Sequence, residues 1–298
     1  MKTVLKVTLA LCAAWILGGC TALRLAYDNA DTYLLHRANS YLDLDGKSSD
    51  ELDERIDEFF AWHRKNALPQ YARISQEAAK RLDDGLSRED LVWGYDSLVA
   101  HARQSLRFGA ERIAPILDRL TPQQVAHMEK RFAEDNRKFA REYLRGNEQD
   151  RRKRRAKRLE ERLEDWVGNL SHTQLEKVKQ FSERTPLYDE LRERDRKRLQ
   201  GELLDMVRKH EAQKRLPDLA ANWDRGRDPA HVAASNAFRQ EYFNLLVDLD
   251  KTMTQEQRHR AQANFRRYAD DFTILARRAG AAPSGAGAAP SSTGQTTQ

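Results

Sequence analysis

Few residues in this chain of 298 combine type and spacing in a way that could do chemistry. Glu256 and His259 stand three apart, the spacing at which a helix offers a carboxylate and an imidazole to one metal of a carboxylate-bridged pair. Such centres draw on two of these pairs plus further glutamates, and the chain has one, so a solvated face is the expectation. Asp43, Asp45, Ser49 and Glu54 carry oxygens at calcium-loop intervals. Lys47, however, sits at a ligand position and Ser48 stands where the sharp turn needs glycine, so that reading is rejected. His63 falls on an apolar face between Trp62 and Arg64, where a satisfied core histidine is expected rather than a general base. No His-Glu-x-x-His, phosphate loop, nucleophile elbow or cysteine nucleophile occurs. The expectation is a non-enzymatic protein with no catalytic residues, no cofactor and no metal.

The other chemistry-bearing residue is a cysteine. Lys2 and Lys6 precede an uncharged apolar run over residues 7–17, too short to cross ~30 Å of hydrocarbon as a helix. It reads as a signal peptide. Leu17-Gly18-Gly19-Cys20 resembles the lipobox of bacterial lipoproteins, which implies cleavage between Gly19 and Cys20 and a diacylglycerol on the Cys20 thiol. The bland alternative is an ordinary secretory signal with an incidental cysteine. Thr21, in place of an aspartate, resembles lipoproteins sent to the outer membrane, so the periplasmic face of that membrane is the expected location. Cys12, the second cysteine, leaves with the signal, so core packing rather than a disulfide must hold the mature chain. Acyl chains contribute about 0.8 kcal/mol per buried methylene, and more than one is needed for a stable anchor.

Charge narrows the partners. Loss of Lys2 and Lys6 lowers the formal net charge from +6 to +4, and 46 acidic residues are interleaved with 52 basic ones, the pattern of solvated helix faces. No nucleic-acid partner is expected. The exception is Arg151-Arg152-Lys153-Arg154-Arg155-Ala156-Lys157-Arg158, seven cations in eight residues. On a helix these pass more than twice round the axis, so every face is positive. Two readings stand: an exposed helix with local ion pairs such as Lys157 to Glu161, or a contact for lipid headgroups, lipopolysaccharide phosphates or an acidic envelope protein.

The elements that must position these residues are helices. With 14 glycines and eight prolines, several of them beyond residue 279, the body is poor in turn formers. Apolar residues recur at helical spacing: Leu52, Ile56, Phe59, Phe60 and His63 behind a Ser48–Glu51 capping-box pattern; Tyr71, Ile74, Ala78 and Leu82; Leu91, Tyr95, Leu98, Ala102 and Leu106. About nine helices are expected, with breaks near Pro69, Gly85, Pro115, Gly146, Pro186 and Pro217. The fold class is all-α, an elongated multi-helix bundle or a cradle of antiparallel helical hairpins. Residues 1–19 are read as signal peptide, 20–278 as a helical lipoprotein domain and 279–298, rich in Ala, Gly, Ser and Pro, as a disordered tail.

One phrase recurs: Leu120-Thr121-x-x-Gln124, Leu170-Ser171-x-x-Gln174 and Met253-Thr254-x-x-Gln257, with Leu86-Ser87-x-x-Asp90 as a looser copy. Helix capping explains it, the hydroxyl accepting from the first turn and the third helical residue reaching back. It also resembles the Leu-Thr-x-x-Gln motif of Spy-type periplasmic chaperones, which implies a cradle for unfolded clients. Finally, AYDNADTYLLHRANSYLDLD at 26–45, AWHRKNALPQYA at 61–72, LTPQQVAHMEKRFAEDNRKFAREYLRG at 120–146 and RRKRRAKRLEERLEDWVGNLS at 151–171 together resemble the bacterial lipoproteins of domain of unknown function 6279. That resemblance implies a helical envelope lipoprotein and carries over no catalytic residue. The expected role is binding or scaffolding at the membrane; the alternatives are a tethered chaperone or a metal-dependent enzyme.

Overall fold

The computed structural model describes residues 21–278. The signal over 1–19, the cleavage and lipidation at Gly19 and Cys20, and the tail over 279–298 lie outside the described residues. Within them the chain is all-α, with no strand. Its helices are α1 (Thr21–Asp28), α2 (Ala30–Leu42), α3 (Gly46–Asn66), α4 (Leu68–Arg81), α5 (Arg88–Leu117), α6 (Pro122–Phe139), α7 (Glu148–Val167), α8 (His172–Arg184), α9 (Asp189–Arg208), α10 (Ala212–Ala221), α11 (Pro229–Asp250) and α12 (Gln255–Arg277). A π-helical turn, Ala140–Leu144, extends α6.

These twelve helices correct the expected nine or so. The chain break at Asn29 carries neither glycine nor proline, the break at Ala67 is the one expected near Pro69, which stands in the first turn of α4, and α9 ends where His210 enters the left-handed region at φ 55°. Conversely, the break expected near Pro217 is absent, whereas α5 does end two residues after Pro115. Pro115 lies in the last turn of α5, which stops at Leu117, and Pro217 lies inside α10, forfeiting one backbone hydrogen bond without ending that helix. A further correction concerns α3, which starts before the Ser48–Glu51 pattern. Asp45 is its cap, accepting from the Ser48 N–H at 2.9 Å, and that bond holds the Asp45 carboxyl below its ordinary pKa.

The recurring phrase caps helices in all four copies, opening α5, α6, α8 and α12 with reciprocal capping boxes. A fifth box, Asn147 with Asp150, opens α7. Asp228 accepts from the Ala230 N–H with Pro229 in the first turn of α11.

Two apolar cores result. The first joins Leu42 of α2, Leu52, Ile56 and Phe60 of α3, Ile116 and Leu117 of α5, Met128 of α6, and Leu204 and Val207 of α9. The second joins Leu159 and Leu163 of α7, Val178 and Phe181 of α8, and Leu245 and Leu249 of α11. The two most extensive helix pairings, α12 along α4 and α10 along α5, connect segments far apart in sequence. A series of ring contacts runs between the cores, from Phe60 through Tyr27, His63, Tyr71, Phe272 and Tyr268 to Trp166.

Candidate functional site

The basic run lies on α7, and the fold turns most of it inward. Arg152 donates to the Ser182 and Thr185 carbonyls at 2.9 Å and to the Glu183 carbonyl, and pairs with Glu148. Arg155 donates to the Thr185 carbonyl at 2.6 Å, the Pro186 carbonyl at 3.1 Å and the Ser182 carbonyl, with its Nε on Ser182 Oγ at 3.2 Å. Its guanidinium also stands 5.9 Å from the ring centres of Phe181 and Phe238. These acceptors are the last carbonyls of α8 and the residues just beyond it, which have no partners along the helix and carry the negative end of its dipole. Burial, with Arg152 beside it, pushes the Arg155 pKa down to about 10, which leaves the group charged at neutral pH.

The neighbouring cations are engaged as well. Arg151 pairs with Glu190, Arg154 donates to the Arg145 carbonyl, and Arg158 lies over Tyr143 at 5.3 Å. Lys157 meets Glu161 at 3.9 Å, as the i,i+4 spacing predicts. Lys153 and Lys157 are the two exposed members of the run. The surface offered to an anionic partner is therefore narrower than seven cations suggest.

Two copies of the recurring phrase interlock. Gln174 Nε2 donates to Gln257 Oε1 at 3.0 Å and to the Thr252 carbonyl at 3.2 Å; Gln257 Nε2 donates to Gln174 Oε1 at 3.1 Å and to the Asn169 carbonyl at 2.9 Å. Each amide oxygen also accepts from the N–H of its own cap residue, Ser171 or Thr254. Both buried amides are thus fully used, tying the start of α8 to the start of α12. Gln124 donates instead to the Asp43 carbonyl at 2.9 Å, in the loop before α3. These contacts account for the glutamines without a client.

The enzyme candidates are placed apart. Glu256 and His259 are both exposed, and among the described residues no group of three His, Cys, Asp or Glu side chains could hold a metal ion. Asp43 and Asp45 belong to the turn that opens α3. His63 is the satisfied core histidine its face suggested: Nδ1 meets the Tyr27 hydroxyl at 2.9 Å, and Tyr27, Phe59 and Tyr71 surround the ring. Burial, followed by the nearby Arg64 charge, pushes its pKa down to about 4.

A different site emerges on α5. Its apolar face was expected to be covered, yet Tyr95 is 41% exposed and Leu98 and Leu106 are each 50% exposed. Towards its C-terminal end the same helix forms the floor of a groove of about 370 Å³ between α2, α3 and α10. Small residues keep that floor low: Ser105, Gly109 and Ala110, with Phe59 only 3.5 Å from where a Gly109 Cβ would stand. The walls are Leu34, Ile56, Phe59, Ile113 and Leu216, and Arg55 and Arg112 reach the rim. Three donors here are buried without a hydrogen-bond acceptor among the described residues: Ser105 Oγ, Arg55 Nε and Arg112 Nε. The sequence signal for this groove was the cluster of small residues interrupting an apolar helix face. A larger depression of about 660 Å³ beside Arg184, Glu241 and Lys251 is polar, and Arg184 and Glu241 pair across it at 3.1 Å.

A family described as "Family of unknown function (DUF6279)" matches residues 40–229, from the end of α2 to the start of α11. That span includes the basic run and most of the groove. Neither a curated protein nor a solved structure matches the chain.

Proposed function

The chain belongs to the family of unknown function DUF6279, and from that premise we propose that it is a lipid-anchored binding protein of the bacterial envelope, facing the periplasm from the outer membrane. Cleavage between Gly19 and Cys20 and acylation of Cys20 attach it. It acts through its surfaces and not through catalysis. One observation carries the reading: large apolar side chains stand exposed on the first two helices after the proposed anchor, Leu25 being 65% and Tyr33 69% exposed. Such residues suit the interfacial zone of a bilayer. Helix α1 begins at Thr21 and is tied to α12 by Arg24–Asp271 at 2.8 Å and Arg278–Asp28 at 2.5 Å. A lipid on Cys20 therefore holds the helical body close to the membrane without an intervening tether. The partner is another envelope component or an anionic lipid or lipopolysaccharide, with Lys153 and Lys157 as the exposed cations of α7.

Cell fractionation of Cys20→Ser tests this reading. Release of a fully helical protein from the membrane is the expected result, and continued membrane retention would overturn it. A second reading, a tethered chaperone, draws on the half-exposed Val92, Tyr95 and Leu98 of α5. Suppressed aggregation of an unfolded client, lost on substituting Leu98, would favour it over the first.

A further inference from the structure

We propose that His231 is an acid-released latch: the neutral ring holds the first half of α11 against α9 and the loop before it, and protonation of that ring lets the half-helix lift away. The latch is independent of the lipid on Cys20 and of the binding role argued above.

One side chain carries the docking of this segment. The buried residues of α11 are His231, Phe243, Leu245, Leu249 and Asp250, of which Leu245 and Leu249 belong to the second core. From Pro229 to Tyr242, therefore, His231 alone is buried, at 5% exposed. Phe238, two turns further on, is half-buried and meets Tyr188 at 5.4 Å and Phe181 at 5.6 Å between ring centres. Val232 is 40% exposed, and Ala230, Ala233, Asn236 and Ala237 are open as well. A half-helix with so little buried area opens locally at small cost, so whatever expels its one buried side chain undocks it.

The surroundings of His231 suit a neutral ring and not a cation. The ring stands at 74° to Tyr188, the N-terminal flank of α9, with 5.9 Å between centres. Nδ1 is buried and has no hydrogen-bond partner among the described residues, so a proton placed there would lack an acceptor. His231 is also the third residue of α11, where free N–H groups and the positive end of the helix dipole disfavour a cation. Burial, foremost, holds its pKa below the ordinary histidine value; Asp195 and Asp228 oppose that shift, while Arg227 and Arg192 add to it. Both carboxylates are already engaged. Asp195 accepts from Arg198 and Arg227 at 2.9 Å each, and Asp228 accepts from the Ala230 N–H at 2.8 Å and lies 3.9 Å from Arg194. The lifted histidine titrates near 6.5 and the docked one lower, so docking is complete above about pH 6.5 and weakens as pH falls towards the docked value. Lifting parts Phe238 from Tyr188 and opens both rings to solvent.

Hydrogen exchange of the full chain, read by mass spectrometry at about pH 7.5 and about pH 5.5 and corrected for the intrinsic pH dependence of exchange, tests the latch. Protection of amides 232–238 is expected to fall by up to about tenfold, the ratio of charged to neutral imidazole one unit below 6.5, while amides 245–250 of the same helix keep theirs. His231→Phe keeps a ring against Tyr188 and takes no proton, so its protection over 232–238 stays level between the two conditions. Thermal melts confirm that this variant folds. His231→Gln, which loses the ring and also takes no proton, lowers protection over 232–238 equally at both pH values. Unchanged protection of 232–238 in the unaltered chain would overturn the latch. So would an acid loss that persists in His231→Phe or His231→Gln, or one spread evenly over all helices, which is acid unfolding of the whole chain.

Discussion

Helices α5 and α7 exchange the environments their sequences suggest. Residues 151–158 look like a solvated positive rod, yet Arg152 and Arg155 are folded over the end of α8. The series Leu91, Tyr95, Leu98, Ala102 and Leu106 looks like a buried face, yet half of Leu98 and Leu106 remains open. The difference teaches that side-chain class alone does not decide burial. A guanidinium is a flat fork of donors, and the terminal carbonyls of a helix are a ready set of acceptors, so the two can be buried together. An apolar stripe is covered only where another helix reaches it, and α10 is too short to cover all of α5.

The comparison can be broken most sharply at Arg155. Arg155→Ala should cost about 2–4 kcal/mol, because it strips charged hydrogen bonds from buried carbonyls. Arg155→Lys should recover less than half, since an ammonium cannot reproduce the fork. Urea unfolding measures both, and a loss below about 0.5 kcal/mol would mean that the run is surface after all.

His63 sharpens the contrast, being a partly buried ring whose Nδ1 is engaged by the Tyr27 hydroxyl. Its folded pKa of about 4 lies below the unfolded value near 6.5, so the unfolded chain takes up more protons between these limits. Stability contributed by neutral His63 is therefore complete above pH 6.5 and declines as pH falls to about 4, by on the order of 2–3 kcal/mol. His63→Phe should flatten that part of a stability-against-pH curve. An unchanged slope would point to other groups.

A smaller effect belongs to the exposed cations. Lys153→Gln with Lys157→Gln should leave the melting temperature alone while weakening binding to anionic vesicles at low salt by about 1 kcal/mol per lysine. Equal binding by the double variant would remove α7 as a membrane contact. The smallest effect is expected on the open stripe, where Leu98→Gln should change stability by no more than about 0.5 kcal/mol. A larger loss would mean that something covers α5 in solution.

How far the sequence could be read depended on reach. Four capping boxes were legible because each needs only a hydroxyl and a polar residue three positions on. The fifth, Asn147 with Asp150, carries the same signal in asparagine form just ahead of the basic run. The breaks at Asn29 and His210 had no glycine or proline to announce them, whereas Pro69 announced the one at Ala67. Pro115 announced the end of α5 at Leu117, and Pro217 announced a break that α10 runs through. Of the groove, Ser105, Gly109 and Ala110 were visible as small residues, but nothing local joined them to Arg55 or Leu216.

The amino-acid order by itself determined that the described chain is helical, where many helices begin, and which face of each is apolar. Those properties arise from hydrogen bonds and periodicities that span about four residues. Only the tertiary structure decided that Gln174 meets Gln257, that α12 returns to α4, that seven cations present two lysines outward, and that part of the α5 face stays open. Each of these depends on buried donors and apolar surfaces finding partners tens of residues away, and no local pattern encodes that distance.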